Sequence, residues 1–160
     1  MNQIEGVVTY KEAGFYIRQA KTMLKGIVSL ENYIKETKLQ LIELEKIAEE
    51  SGKKTALLSF TAKDATDYCM EYDKYHLEMA TSQRRAERTY ERIMRSFNDI
   101  PDERIKNILW YYYAQGHTLE DTAESYNFSI SSISRYKKIG LIKMAERLYG
   151  IVIVLKKEAK

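Results

Sequence analysis

The strongest constraint in this sequence is a repeat of positions at alternating steps of four and three. It runs through Tyr16, Ala20, Met23, Ile27, Leu30, Ile34, Thr37, Leu41, Leu44 and Ala48. That alternation lines up side chains along one side of a helix, as in a coiled-coil seam, over roughly 55 Å at about 1.5 Å per residue. Ser51-Gly52 followed by Lys53-Lys54 reads as its stop signal. A second seam with the same steps runs through Ala65, Cys69, Tyr72, His76, Met79, Gln83, Ala86, Tyr90, Ile93 and Phe97. The connection around 53–63 is too short for a parallel return, so the two helices are expected to form a long antiparallel hairpin. Leu57, Leu58 and Phe60 are expected to cap its tip. A single Pro and seven Gly in 160 residues agree with long helices.

Thr37, His76 and Gln83 place polar groups on the seams, which costs stability and tends to fix register or oligomer state. His76 reads as a hydrogen-bonded seam residue and Cys69 as a small apolar one. Leu24, Val28, Tyr33 and Ile47 lie off the main seam and widen the apolar stripe beyond what one partner helix covers. A second chain is the economical cover, so a homodimer is expected.

Hydrophobic residues make up 44% of the chain and charged ones 31%, the balance of a folded protein rather than a disordered one. One cysteine cannot close an intrachain disulfide, and Cys69, His76 and His117 are too few and too scattered for a zinc site. No metal and no cofactor are therefore expected. The N-terminal MNQIEGVVTYK lacks a basic stretch followed by an apolar one, and the longest unbroken aliphatic run is Ile151–Leu155. These features predict a cytoplasmic protein without a membrane partner. There is no Walker-type glycine loop, no His-Glu-x-x-His and no nucleophile elbow, so the chain is not expected to be an enzyme.

Charge is unevenly placed. Residues 129–160 contain eight Lys/Arg and two Asp/Glu, whereas 1–128 contain 18 and 21. A basic end on a mildly acidic body points to a polyanion. The clearest boundary is Asn98-Asp99-Ile100-Pro101-Asp102-Glu103, with Pro101 expected in the first turn of a new helix. Ile105, Ile108, Leu109, Tyr112 and Tyr113 then mark a short amphipathic helix ending near Gly116. Thr118 is a natural N-cap for a helix to about Tyr126, and Asn127 suits a left-handed turn. Ser129 caps the next helix, whose inward face is Ile133, Tyr136, Gly140, Leu141 and Met144. Ala123 is small where two helices must cross. These are the parts of a helix-turn-helix with Ser129–Tyr149 as its recognition helix. The expected organisation is all-α: a helical hairpin for oligomerisation over 1–98, a three-helix helix-turn-helix domain over 99–149, and a basic-apolar tail over 150–160 that docks on the body or on a partner subunit.

Residues 101–149 resemble region 4, the C-terminal DNA-binding region of bacterial sigma factors. The resemblance rests on Thr118-Leu119-Glu120-Asp121, then Ala123, Tyr126, Asn127, Phe128 and Ser129, then Ile133, Tyr136, Gly140-Leu141 and Met144. Thr122 stands where that pattern has an apolar residue, Asn127 where it has Gly, and serines stand where it often has charges. With a helical segment ahead of it, the whole chain is similar to the ArpU/RinA group of phage late-gene transcription activators. The resemblance implies a sequence-specific DNA-binding protein acting with host RNA polymerase in the bacterial cytoplasm.

Double-stranded DNA is thus the expected partner. The expected contact residues are Thr118, Ser129, Ser131, Ser132, Ser134, Arg135, Lys137, Lys138 and Lys143. Arg135 is the side chain able to grip guanine O6 and N7 together, whereas Lys137, Lys138 and Lys143 suit phosphates. Arg84, Arg88, Arg92 and Arg95 fall within a narrow arc of the second helix. This stripe reads either as a partner surface or as a solvated face paired through Arg84–Glu87, Arg88–Glu91 and Glu91–Arg95. Trp110-Tyr111-Tyr112-Tyr113 must put at least one ring into the core, because consecutive positions on a helix point in different directions. Two other readings share these features: a small-terminase-like subunit that recognises DNA for packaging, and a sigma-like adaptor that binds protein only.

Overall fold

The computed structural model describes residues 6–58 and 62–155, with side chains described throughout except at 51–69 and 71. The expected tip residues Leu57, Leu58 and Phe60, the seam residues Ala65 and Cys69, and the lysines at 156–160 therefore lie outside the described side chains. The chain is all-α. Among the described residues the α-helices are α1 (Gly14–Lys25), α2 (Ile27–Leu58), α3 (Ala62–Asn98), α4 (Glu103–Leu109), α5 (Leu119–Tyr126) and α6 (Ile130–Tyr149). Two three-residue strands, β1 (Val7–Thr9) and β2 (Val152–Val154), clasp the two ends in parallel, with Val7 opposite Val152 and Thr9 opposite Val154. No helix among the described residues is long and apolar enough to cross a membrane.

The first seam does not lie on one helix. It is interrupted at Gly26, whose N–H bonds the Thr22 carbonyl at 3.1 Å and ends α1, while the next residue, Ile27, is fully buried. The expected stop at Ser51-Gly52 is absent, since α2 runs on to Leu58. One glycine inside a helix costs only about 1 kcal/mol, which a 32-residue helix absorbs. The described residues divide into two compact units. Described residues up to Val28 and from Tyr90 onward make one unit, and Ser29–Thr89 make the other. Tyr16, Ala20 and Met23 thus belong with the C-terminal helices, because α1 packs along α6.

In the unit formed by Ser29–Thr89, Lys38 pairs with Glu87 at 2.9 Å and Glu45 faces His76 Nε2 at 3.5 Å. Partner numbers fall along α3 as they rise along α2, so these two segments run antiparallel. Ile34, Thr37 and Ala86 are buried between them, and Leu30, Leu41, Leu44 and Ala48 are half-buried. The Thr37 hydroxyl donates to the carbonyls of Tyr33 and Ile34, which removes the cost of a buried polar group. Val28, Tyr33, Leu39, Ile42 and Ile47 of α2 remain exposed.

The other unit is built around α6. Its tightest crossing is with α4 at Gly140, where a Cβ would stand 2.4 Å from Leu109 Cδ1 and 2.8 Å from Ile105 Cγ2. Ala123 of α5 lies in a cluster with Ile133 of α6 and Ile108 of α4, where α5 and α6 meet. Helix α4 starts at Glu103, two residues after Pro101. Asp102 is its N-cap, accepting from the N–H of Arg104 at 2.9 Å and of Ile105 at 3.3 Å, and Pro101 stands outside the helix. After α4 the chain makes a π-helical turn over Trp110–Ala114, which distributes four consecutive aromatics. Trp110 packs on Phe97, Tyr113 enters the core, and Tyr111 stacks on His117.

Residues 151–155 return along the end of α6 and pair with β1. Gly150 closes α6 in a left-handed conformation (φ 62°), and the Ile151 N–H returns to the Glu146 carbonyl at 3.1 Å. Glu146 Oε2 accepts from the Ile153 N–H at 3.3 Å and so holds β2 against the helix it follows. Arg92 of α3 donates to the Leu148 carbonyl at 2.8 Å, satisfying an acceptor that the end of α6 would otherwise leave without a partner.

Candidate nucleic-acid interface

Local chemistry fixes how α5 meets α6. Thr118 is the N-cap of α5, its hydroxyl accepting from the Asp121 N–H at 3.0 Å. At the other end Asn127 is left-handed (φ 57°, ψ 45°). The Phe128 N–H bonds the Ala123 carbonyl at 3.0 Å, and the Asn127 N–H bonds that of Glu124 at 3.2 Å. These two bonds make a Schellman closure, with Phe128 and Ala123 in one apolar cluster. Ser129 then caps α6, accepting from the Ser132 N–H at 3.1 Å. Thr122 is fully buried at a place suited to an apolar side chain, and its hydroxyl donates to the Thr118 carbonyl at 2.7 Å. The methyl can then face the core without an unsatisfied oxygen.

Helix α6 is covered unevenly. From Leu141 to Leu148 most of it is buried, including Leu141, Ile142, Met144, Ala145 and Leu148. Over its first half Ile130, Ser131, Ser134, Arg135 and Lys138 are exposed. At 100° per residue Ser131, Ser134, Arg135 and Lys138 fall within one arc of the helix. That arc is an open polar and basic face supported from behind by a packed helix.

The expected contact residues do not all belong to this face. Ser131, Ser134, Arg135 and Lys138 share it, with the Arg135 guanidinium 5.5 Å from the Tyr136 ring centre. Thr118 and Ser129 are engaged as caps, and the Ser129 hydroxyl also donates to that of Ser132 at 2.9 Å. Lys143 is further along, 3.8 Å from Glu146. Lys137 turns back: its ammonium stands 3.7 Å from the ring centre of Tyr112. Position 137 is four after Ile133 and seven before Met144 and shares their inward side. Two residues that meet or share a ring with these lysines had no signal in the sequence. Tyr10 follows β1 and meets Lys138 at 4.3 Å, and Lys21 of α1 lies 6.0 Å from the Tyr113 ring centre.

The arginine stripe is divided between the units. Arg84 and Arg88 belong to Ser29–Thr89, whereas Arg92 and Arg95 belong to the other unit. Arg92 is committed to the end of α6, with its guanidinium 5.6 Å from the Tyr149 ring centre. Among the described residues the pairs Arg84–Glu87, Arg88–Glu91 and Glu91–Arg95 do not form, and Glu87 binds Lys38 instead.

Burial pushes the Tyr113 phenol up to about 12, with the neighbouring Tyr112 adding to the effect, so it stays a neutral ring in the core. Burial, and next to it Tyr111, also raises Tyr126, whose hydroxyl donates to the Asn107 carbonyl at 3.2 Å. Among the described residues no group of three or more His, Cys, Asp or Glu side chains is placed to hold a metal ion. An open cleft of about 490 Å³ lies beside β2, lined by Asp99, Lys143, Glu146 and Arg147 among others. Its Glu146 is already held by Lys143 and the Ile153 N–H. Comparison of the chain with protein-family models, with curated proteins and with solved structures finds no match.

Proposed function

We propose that this protein is a sequence-specific, duplex-DNA-binding regulator of transcription. In this reading it activates phage late genes with host RNA polymerase in the bacterial cytoplasm, and it uses no cofactor and no catalytic step. Helices α5 and α6 act as a helix-turn-helix, and α2 with α3 forms the hairpin through which two copies associate. The observation that carries the reading is the half-open α6: one face of its first half presents Ser131, Ser134, Arg135 and Lys138, while its second half is locked into a core. A helix supported at one end and bare at the other is the shape that enters a major groove about 12 Å wide. Short hydroxyls and one arginine can meet base edges there, and the lysine can meet a phosphate.

Genome-wide footprinting of the full-length protein in a phage-infected host tests this reading. Occupancy at promoter regions, with transcription lost when Arg135 is replaced by Ala, is the expected result. Occupancy confined to a packaging site would instead assign the protein to DNA packaging. No occupied site, together with capture of polymerase, would make it a protein-binding adaptor.

A further inference from the structure

The C-terminal unit gathers cations that the open face of α6 does not by itself explain. Lys21 on α1 and Lys137 on α6 both point at the ring of Tyr113, their ammonium groups 6.0 and 5.4 Å from its centre. Lys137 also sits 3.7 Å from the centre of Tyr112. The next residue, Lys138, stands 4.3 Å from the ring centre of Tyr10. Among the described residues none of these three lysines has a carboxylate within ion-pairing distance, whereas Lys35, Lys38, Lys106 and Lys143 each have a glutamate. Aromatic faces attract ammonium groups through their quadrupole but carry no net charge. The rings can therefore hold the lysines in place without neutralising them. Lys21 and Lys138 are exposed and Lys137 is half-buried, so the charges stand at the surface.

Three uncompensated ammonium groups, brought together from α1 and α6 and steadied on tyrosines, match the chemistry of phosphodiester oxygens. Each offers three N–H donors and a compact charge, suited to phosphate and not to base edges. We propose that Lys21, with Lys137 and Lys138, binds the backbone phosphates of the duplex DNA that the first half of α6 meets. This assignment rests on the DNA-binding reading of α6. It gives the N-terminal segment a part in the interface: β1 and α1 place Tyr10 and Lys21 there, which is a reason for that segment to pack with the C-terminal helices. A contact of this kind positions the protein without reading sequence.

The test is a set of equilibrium titrations of short duplexes with the full-length protein and three variants, across about 50 to 200 mM salt. Lys21→Met keeps the aliphatic stem over Tyr113 and removes the charge, Lys21→Arg keeps the charge, and Lys25→Met removes an exposed charge of the same helix. Each lost phosphate contact should make the log–log salt slope shallower by about 0.9, so that the fourfold rise in salt weakens binding about 3.5-fold less. The expected result is that change for Lys21→Met, alike on specific and unrelated duplexes, with Lys21→Arg and Lys25→Met behaving as the wild-type protein. Duplex binding by the wild type with an unchanged slope for Lys21→Met would overturn this assignment and leave the α6 reading standing. No duplex binding by the wild type would remove both. A further arm adds millimolar inorganic phosphate at fixed ionic strength. Displacement of the duplex from the wild type but not from Lys21→Met would make the cluster a small-anion site and overturn the assignment to the DNA backbone.

Discussion

Replacing Gly140 by Ala sets two effects of opposite sign against each other, and the structure decides which wins. Ala is favoured over Gly in a helix interior by about 0.8–1.0 kcal/mol. Position 140 lies inside α6, so propensity alone favours a more stable protein. However, the new Cβ would stand 2.4 Å from Leu109 Cδ1, 2.9 Å from Leu109 Cγ and 2.8 Å from Ile105 Cγ2. Carbon atoms in contact sit about 3.5–4.0 Å apart, so α4 and α6 must separate by roughly 1 Å or distort their side chains. Leu109 is fully buried and Ile105 nearly so, which leaves neither room to yield. Overpacking costs about 1–3 kcal/mol, and with two buried neighbours hit the upper part of that range, about 2–3 kcal/mol, applies. The net expectation is destabilisation by about 1–2 kcal/mol, a fall in Tm of about 2–8 °C for a chain of this size. Urea unfolding followed by the fluorescence of Trp110, which packs against Phe97 in the same unit, reads this directly. In a Leu109→Ala background the same substitution should become neutral or stabilising, because its main obstacle is gone. A Gly140→Ala protein at least as stable as the wild type would refute the close α4–α6 crossing.

Asn127 holds its left-handed backbone without strain from a β-branch, so Asn127→Val should cost about 1–2 kcal/mol and Asn127→Gly should change stability little, by the same unfolding assay. The raised Tyr113 phenol stabilises the fold fully below the unfolded-state value near 10, and this contribution should be lost as pH rises through about 12. Tyr113→Phe should remove that part of the alkaline transition in a pH titration followed by circular dichroism. A transition that stays the same in Tyr113→Phe assigns alkaline loss to other groups. Leu39 and Ile42 are 67% and 51% exposed on α2, so Leu39→Glu with Ile42→Glu should leave helix content intact while sedimentation shows dimers becoming monomers. Ile34→Asp, at a buried position, should unfold the α2–α3 pairing as well. A wild-type protein that sediments as a monomer at micromolar concentration would sink the proposed association.

Features written in short-range chemistry were legible in the sequence. Thr118, Asn127 and Ser129 act within a few residues of themselves, so the ends of α5 and the start of α6 could be read from residue type and spacing. The positions of the α2 seam from Leu30 to Ala48 were legible for the same reason, since burial repeats with the turn of a helix. What the sequence concealed depends on packing between distant segments. The 4-3 repeat runs unbroken across Gly26, yet the buried Ile27 and the packing of α1 on α6 divide it between two units. Strands of three residues carry too little alternation to announce themselves, and β1 and β2 exist because Glu146 and the left-handed Gly150 steer the chain back. Within the candidate interface, Arg135 and the serines were identified by their helical arc. The charge of Lys137 was legible, but its seat on the rings of Tyr112 and Tyr113 was not, because only the fold brings that aromatic turn against α6. Lys21 could not have been found, because only the tertiary fold brings α1 beside the aromatic turn.

Whether the open face of α6 reads duplex DNA is decided by a fluorescence-anisotropy titration of the wild type and Arg135→Ala. The occupied site and an unrelated duplex should be compared at the same salt. Duplex binding should weaken steeply with salt. Arg135→Ala should lose about 1–3 kcal/mol on the specific site, roughly 5- to 150-fold in affinity, with a much smaller loss on the unrelated duplex. No binding at low salt, or specific-site affinity unchanged by Arg135→Ala, would contradict DNA reading by this face.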